Sequence, residues 1–495
     1  MIIKTEHDEI INYLSDAANY KGECDAVYFP ENTQEVIDLI KRCNNEGIKI
    51  TASGNGTGLT GGRVPEGGIV LSLEKMNRMI EINPEKKYAV VEPGAILRDI
   101  QETVEKIKLF YPPDPTERDS FIGANAANNS SGAKTFKYGP TRDYILELEI
   151  VLPTGDLLNI KRGTVFADGY KLKLVSDNGT VYTLDIPDYK MPETKHAAGY
   201  YCKPGMDAID IFIGSEGTLG IITKLKLKLI DLPGNVISCV VFFDNEDNAF
   251  SFVEEARNLS YKSKEKNITD EINARGLEFF DYYSLKFMTE DYPRIPIDAK
   301  AAIWFEQESN SSNEQILIEK WSGLINKHHG NEETSWFALD KPGREELKVF
   351  RHAIALKVTD FIAKNNIGKI GTDMAVPHDK FREFYNFEIN TVKNNNLNYI
   401  VYGHIGNSHL HLNMLPSNPE QYEQAKLLYA ELIDKAIELN GTISAEHGIG
   451  KIKRAYLVKM FGEANIKKMA KLKKQLDPNL ILGIGNMFDP AYLYD

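Results

Sequence analysis

The sequence predicts an α+β fold built from two mixed domains and a closing helical segment. Three observations carry this. Strand-period and helix-period apolar patterns alternate from residue 26 onward, with no internal repeat and no low-complexity tract. Pro233-Gly234 follows the cleanly alternating strand Lys224–Leu229 and marks a boundary. A long helical pattern, Glu420–Leu439, closes at Asn440-Gly441 and sets off the final stretch. The expected parts are residues 1–232, 233–440 and 441–495, in keeping with two or three domains for 495 residues.

In the first part, Ala26–Phe29 reads as a strand. Thr33–Asn45 reads as a helix with Val36, Ile37, Leu39 and Ile40 on its apolar face and a stop at Gly47. Strand Ile48–Thr51 runs into Ala52–Gly62, eleven residues with five glycines. Such a loop exposes main-chain N–H groups with little bulk and can wrap a diphosphate; a flexible surface loop is the plain alternative. No helix pattern follows, because Val64–Gly68 leads into strand Ile69–Ser72, so this is not the dinucleotide fingerprint of a Rossmann helix. Tyr88–Val91 is a strand, Ala95–Lys106 a helix and Pro112–Pro115 a rigid turn. Ile122–Gly132 is small and polar. It either admits a flat ligand closely, with Asn and Ser as directional partners, or is a poorly packed loop. Ile145–Leu152 is the next strand. Lys171–Val175 and Val181–Leu184 flank Asn178-Gly179, a hairpin signal expected at the periphery.

In the second part, Val236–Phe243 is a strand, a helix starts at Asp247, and Gly276–Asp281 and Ala301–Glu308 read as a helix and a strand. Asn313–Lys327 is an amphipathic helix, and another runs from Val349 toward Phe361. The alternation suggests an antiparallel sheet with helices on it. The chemistry concentrates later. Val401–Asn413 carries His404, His409 and His411, and Gly441–Arg454 carries Glu446-His447, so four of the ten histidines fall within 44 residues. A lone histidine is ordinarily a surface or core-edge residue; this cluster reads as a metal or catalytic site. His404, His411 and Glu446 form a common donor set for a divalent cation with open positions, and His447 stands beside it as a base. In a strand over Leu410–Leu412, His409 and His411 share a face. Lys451, Lys453 and Arg454 read as surface or acceptor-facing charges.

Composition narrows the function. Hydrophobic content of 42% supports proper cores, and a net charge of −13 argues against a nucleic-acid partner. Cys24, Cys43, Cys202 and Cys239 are widely spaced, which argues against an iron–sulfur cluster or zinc ribbon and suits a cytoplasmic protein. No signal-peptide layout or membrane-length apolar run is present, so any membrane attachment is expected to be peripheral or through a partner.

Four stretches in order, Ala52–Gly62, Gly123–Gly132, Tyr138–Asp143 and Gly214–Ile221, resemble signatures of the FAD-binding domain of the vanillyl-alcohol oxidase / p-cresol methylhydroxylase (PCMH) superfamily. The C-terminal stretch resembles the branch that includes the D-lactate dehydrogenases, D-2-hydroxyglutarate dehydrogenase and the flavin-binding component of glycolate oxidase. The resemblance spans about residues 25 to 490. It implies a PCMH-type two-subdomain FAD-binding domain, an FAD-linked oxidase cap and a C-terminal segment that completes the site and packs back on the first domain. It implies that Gly54, Asn55, Gly56, Thr57 and Gly58 bind the FAD diphosphate, that Asn128, Ser131 and Gly132 lie along the flavin, and that Ile222 lies near the adenine or ribose. Ser53, Pro115, Gly123, Glu216, Gly217 and Gly220 complete the expected FAD contacts. Ser53 departs from the arginine or other residues often found there, so less charge is expected. No histidine lies between His7 and His196, so a non-covalent FAD is expected. His196 stands where Asn is more usual, and a structural role is expected for it.

The same resemblance implies oxidation of a D-2-hydroxy acid to the 2-oxo acid. Arg351 would grip the carboxylate, which its planar fork fits at two points. Lys369 is the second choice for that carboxylate, Asn413 would help orient the substrate, and His352 and Gly371–Pro377 resemble the D-lactate type. The cation, zinc first with manganese or iron as alternatives, would acidify the hydroxyl, His447 would take its proton, and hydride would pass to the flavin. An electron acceptor is implied (quinone, cytochrome or electron-transfer flavoprotein), and a homodimer is compatible. The usual Gly-Asp-Gly-Asn between the ligand histidines is Gly406-Asn407-Ser408-His409 here. His409 either adds a ligand or fills the turn, the latter being preferred. The competing readings are another flavoenzyme of this fold (alkyl-glycerone-phosphate synthase-like, or an alcohol or sugar oxidase), a metal-dependent hydrolase, and a non-catalytic electron-transfer protein.

Overall fold

A computed structural model describes residues 1–365 and 368–494. The first 232 residues build two sheets. One is small: Ala26–Phe29 and Ile50–Ser53 run parallel on either side of Ile69–Ser72, and Ile2–Lys4 adds an antiparallel edge. Helix Thr33–Glu46 connects Ala26–Phe29 to Ile50–Ser53 and buries Val36, Ile37, Leu39, Ile40 and Cys43. Its first turn is capped by the Asn32 side chain, which accepts from the Glu35 amide, and Gly47 ends it at φ +70°. The other sheet is antiparallel, in the order Met79–Asn83, Tyr88–Val91, Ile221–Lys228, Ile145–Val151, Leu157–Lys161. The Lys171–Val175/Val181–Asp185 hairpin forms as the Asn-Gly turn predicts, as a separate two-stranded ribbon. Ile122–Ala127 is a short helix rather than a loop. Its small residues let it sit tightly: a Cβ on Gly123 would come within 2.5 Å of Pro93.

The second part is a seven-stranded antiparallel sheet with helices on both faces. Ala274–Asp281 lies inside it, between Ala301–Ser309 and Tyr399–Gly403, so Gly276–Asp281 is a strand and not the expected helix. The reason is double coverage. Phe279 packs on Phe250 of helix Glu246–Lys266, while Phe280 packs on Phe350 of helix Lys341–Asn365. All eight residues are buried, so the strand carries no polar alternation to read. The edge strand Asn331–Ala338, which the sequence pattern does not separate out, pairs with Asn235–Phe243.

After helix Pro419–Glu438 the chain returns to the first part. Helices Arg454–Phe461 and Glu463–Leu476 form the expected helical segment. Beyond them, Ile50 donates to Ile481 O at 2.7 Å and Gly483 donates to Ile50 O at 2.8 Å, extending the small sheet with the closing stretch. Lys451 and Lys453 are buried, 4% and 6% exposed, and are not the surface charges expected. Each has buried acceptors: Lys451 donates to Asn486 Oδ1 (2.7 Å) and Lys453 to Asp373 Oδ2 (2.6 Å).

Candidate active site

One cleft runs along the loops of the first domain. Ser53, Gly54, Asn55, Gly56, Thr57 and Gly58 line one side of it. Pro115, Gly123, Asn128, Ser131, Glu216, Gly217, Gly220 and Ile222 line it too, and so do Glu446 and His447 from the C-terminal segment. Gly132 does not line the cleft. A Cβ there would lie 1.9 Å from Asp114 O, so its smallness serves the close packing of two loops. Among the described residues, the amides of Asn55, Gly56, Thr57 and Gly58 donate to no protein acceptor. Gly56 holds φ +81°. Four unspent N–H groups on a bulk-free loop suit a diphosphate. Asn125, which also faces the cleft, keeps a buried Nδ2 without a partner among the described residues. This donor-rich cleft fits the dinucleotide cofactor that the sequence signatures imply.

The second cluster meets the cleft at its end. The hairpin of Tyr399–Gly403 and His411–Met414 pairs Tyr402 with His411, so the residues on either side of its turn become neighbours. His404 and His411 ring centres stand 5.5 Å apart, and those of His409 and His411 4.6 Å. The regular strand begins at His411, one residue later than the pattern suggests, and His409 pairs with Ala375 just outside it. One donor atom each from His404, His409, His411 and Glu446 lie within 4.8 Å of one another. His404 Nε2 is 3.0 Å from Glu446 Oε1, and His411 Nε2 is 3.8 Å from Oε2. The other nitrogens are anchored: His404 Nδ1 to Glu278 Oε1 at 2.7 Å and His411 Nδ1 to the Thr372 carbonyl at 3.1 Å. Anchored through Nδ1, each Nε2 is turned toward Glu446, the orientation in which a metal-ligating imidazole is held. The donor chemistry fits zinc, manganese or iron.

Burial and charge set the protonation of this cluster. Burial opposes the Glu446 charge, but His404 and Lys195 hold its carboxyl well below the usual range; the Lys195 ammonium bonds directly to Oε1. Burial pulls His404 down, and Glu278 and Glu446 outweigh it, so the group ends above its usual value. His411 falls well below, from burial and then from His409. Glu278 sits at about 2: burial raises it, while His404 and Arg351 lower it further.

Arg351 reaches the cluster through that glutamate. Its Nε and Nη2 donate to Glu278 Oε2 at 3.2 and 3.1 Å, and its Nη1 donates to His352 Nε2 at 2.7 Å. Three of five N–H groups are thereby committed, leaving two. Lys369 is exposed as a residue, yet its ammonium reaches inward to Asn413 Oδ1 at 2.6 Å, and burial brings it down to about 8. His447 turns Nδ1 toward Asp373 Oδ2 at 3.5 Å and stacks its ring parallel to His411, 5.5 Å away. Burial lowers its pKa, against the pull of Asp373. His196 lies outside this cleft, in a neighbouring cavity with Arg142 and Tyr201.

The family of FAD binding domains matches residues 24–161, and that of the FAD linked oxidases, C-terminal domain, matches residues 233–487. The chain belongs to the FAD-linked oxidase family. This FAD-linked oxidase is an FAD-dependent oxidoreductase with the PCMH-type fold. It is 32% identical to glycolate oxidase subunit GlcD of Bacillus subtilis (strain 168), covering 96% of this chain and 92% of the relative. It is 29% identical to a D-lactate dehydrogenase of Anaerostipes hadrus, covering 97% and 92%. In fold it is similar to 4-ethylphenol oxidase from Gulosibacter chungangensis, with a TM-score of 0.70 at 18% identity, covering 99% and 95%.

Several residues of the oxidase site carry no signal of their own in the sequence, although one of them, Asp373, lies within the marked stretch Gly371–Pro377. Arg63 lines the cleft, and its Nη1 donates to Gly54 O at 3.2 Å, so the loop carries the positive charge that Ser53 does not. Asp373 is fully buried and accepts from the amides of Glu446 and His447, both at 3.1 Å, and from Ser444 Oγ at 2.7 Å. It fixes the segment that carries Glu446 and His447. Lys195 and Glu278 supply the cluster's counter-charges. None of these sits within a metal-ligand spacing, and only the fold brings them together.

Proposed function

We propose that the protein oxidises a 2-hydroxy acid, of D configuration where that carbon is chiral, to the 2-oxo acid. Candidate substrates are D-lactate, glycolate and D-2-hydroxyglutarate. The observation that carries this is the meeting of Glu446 and His447 with the glycine loops in one cleft. The relatives' names point the same way, as a D-lactate dehydrogenase and a component of glycolate oxidase.

Residues 53–58, with Ser131 and Ile222, would hold a dissociable FAD, which when bound supplies a two-electron acceptor for hydride. His404, His411 and Glu446 would hold a divalent cation, zinc first, which supplies Lewis acidity toward an alcohol oxygen. The protein's own groups do the rest. Arg351 offers its two uncommitted N–H groups to the substrate carboxylate. Glu278 and His352 stiffen that fork from behind. Lys369 and Asn413, joined to each other, are the second anchor. His447, with Nδ1 turned to Asp373, presents Nε2 to accept the hydroxyl proton. Its lowered pKa keeps it neutral, and therefore able to accept, at pH 7. The electrons then leave to an acceptor such as a quinone, a cytochrome or an electron-transfer flavoprotein. No described helix is long and apolar enough to cross a membrane.

The test is anaerobic bleaching of the oxidised flavin by a panel of D- and L-2-hydroxy acids, with and without chelator. Rapid bleaching by a D-hydroxy acid, abolished by chelator, is the expected result. No bleaching by any member overturns the proposal and favours another flavoenzyme of this fold.

A further inference from the structure

We infer that His409 is a fourth protein ligand of the cation site, so that three imidazoles and one carboxylate face the metal. This rests on the metal reading above and extends it. His409 is fully buried; among the described residues its Nδ1 has no hydrogen-bond partner, and its Nε2 meets only the Asp373 carboxylate, off the line of a good hydrogen bond. A buried imidazole nitrogen left unspent is costly unless something absent from the polypeptide meets it. Its donor atom already belongs to the group with His404, His411 and Glu446, within 4.8 Å.

The surroundings repeat the pattern of the other two histidines. His404 is backed by Glu278 and His411 by the Thr372 carbonyl. His409 Nε2 is 3.3 Å from Asp373 Oδ1, a carboxylate also held by Lys453. With Nε2 turned to that carboxylate, Nδ1 is the nitrogen left without any partner. A carboxylate behind an imidazole is what orients a metal-ligating histidine.

The turn-filling alternative is weak, because the turn closes by itself. Asn407 N donates to His404 O at 2.9 Å, Ser408 N to Ile405 O at 2.9 Å, and His409 N to His404 O at 3.3 Å. Ser408 takes the left-handed conformation, φ +52°, that the reversal needs. The His409 ring adds nothing to that closure. A further consequence concerns the metal. Four protein ligands fill a tetrahedron, so a cation that also contacts substrate must accept five or more ligands, as manganese, iron and expanded zinc do.

The test uses the FAD-loaded full chain, stripped with chelator and reloaded with zinc, as wild type and as His409→Asn. Zinc K-edge X-ray absorption counts imidazoles, and competition with a chelator measures affinity. The expected result is three imidazoles in the wild type and two in the variant, with affinity reduced at least about 10-fold. Two imidazoles in both, with equal affinity, overturn the assignment of His409 while leaving the metal site standing. Zinc held by neither protein overturns the metal reading, and this inference with it. Should His409→Asn fail to keep its FAD or its circular dichroism, the wild-type count of three or two still decides.

Discussion

At the scale of single residues, exposure separates the proposed base from the proposed ligands. His447 is the most exposed of the four clustered histidines, 28% against 15% for His411, while His404 and His409 are shut away. A proton acceptor must reach substrate, whereas a ligand needs only to reach an ion. His447→Ala is expected to slow flavin reduction by hydroxy acid by about 100- to 10,000-fold, the usual worth of a general base. FAD should stay bound, because the cleft loops do not depend on that ring; stopped-flow absorbance at unchanged flavin content checks both. Lys369 gives a pH prediction. Burial lowers its pKa to about 8, so the ammonium is present below pH 8 and lost above it. If it anchors the substrate carboxylate, KM should rise as pH climbs through 8 with little change in kcat. Lys369→Met should raise KM at pH 7 and flatten that rise. A variant that keeps the wild-type KM profile would remove Lys369 from binding.

At the scale of elements, local signals and tertiary signals separate cleanly. Helix Thr33–Glu46, with its Asn cap, apolar face and glycine stop, is legible because every device lies in adjacent residues. The Asn178-Gly179 hairpin is legible for the same reason. Ala274–Asp281 is not, because it is buried on both faces and neither period shows. The glycine loops and the three histidines were legible from composition and spacing. Lys195 and Glu278 were not, since each acts on a partner remote in sequence; Lys195 and Glu446 are 251 positions apart. Arg63 and Asp373 lay beside or within marked stretches, with nothing in the residue itself to show its role. Lys451 and Lys453 misled, because three basic residues within four positions look like a solvated face when their acceptors are out of view. The element that joins the halves is Gly441–Gly450, and Glu216 holds it. That carboxylate accepts from the amides of Ile449 and Gly450, each at 2.6 Å, from a residue strained at φ +52°. Burial raises its pKa to about 6. Glu216→Gln keeps the shape but replaces one acceptor oxygen with an amide NH2 donor facing an N–H. Faster hydrogen exchange across 446–451 is expected, with a several-fold weaker hold on FAD; exchange mass spectrometry and flavin titration measure the two. Unchanged exchange there would show that the segment is held by its other bonds.

At the scale of the whole molecule, the cleft exists only when the end of the chain returns to its beginning. The return is fixed by Asp477, which is fully buried. It accepts from the amides of Ile481 and Leu482 at 3.0 and 2.9 Å and pairs with the buried Lys473 ammonium. Lys473 in turn donates to Leu482 O and to Thr218 O, beside the Gly217 that lines the cleft. One ion pair thus ties the last helix, the closing strand and the first domain together. Asp477→Ala strands a buried lysine and two amides, at a cost of about 3–5 kcal/mol. The damage is expected far from the mutated site. The bridge from Ile50 to Leu482 should loosen, and with it the Ile50–Ser53 strand that launches the glycine loop. The expected readout is a thermal midpoint lower by several degrees and a faster loss of yellow colour on gel filtration, with hydroxy-acid bleaching of the remaining flavin unchanged per bound FAD. Adding excess FAD should restore much of the midpoint, since a ligand bound only by the folded state offsets the deficit by mass action. A midpoint that falls without any change in flavin retention would mean that the closing segment stabilises the chain but does not shape the cleft.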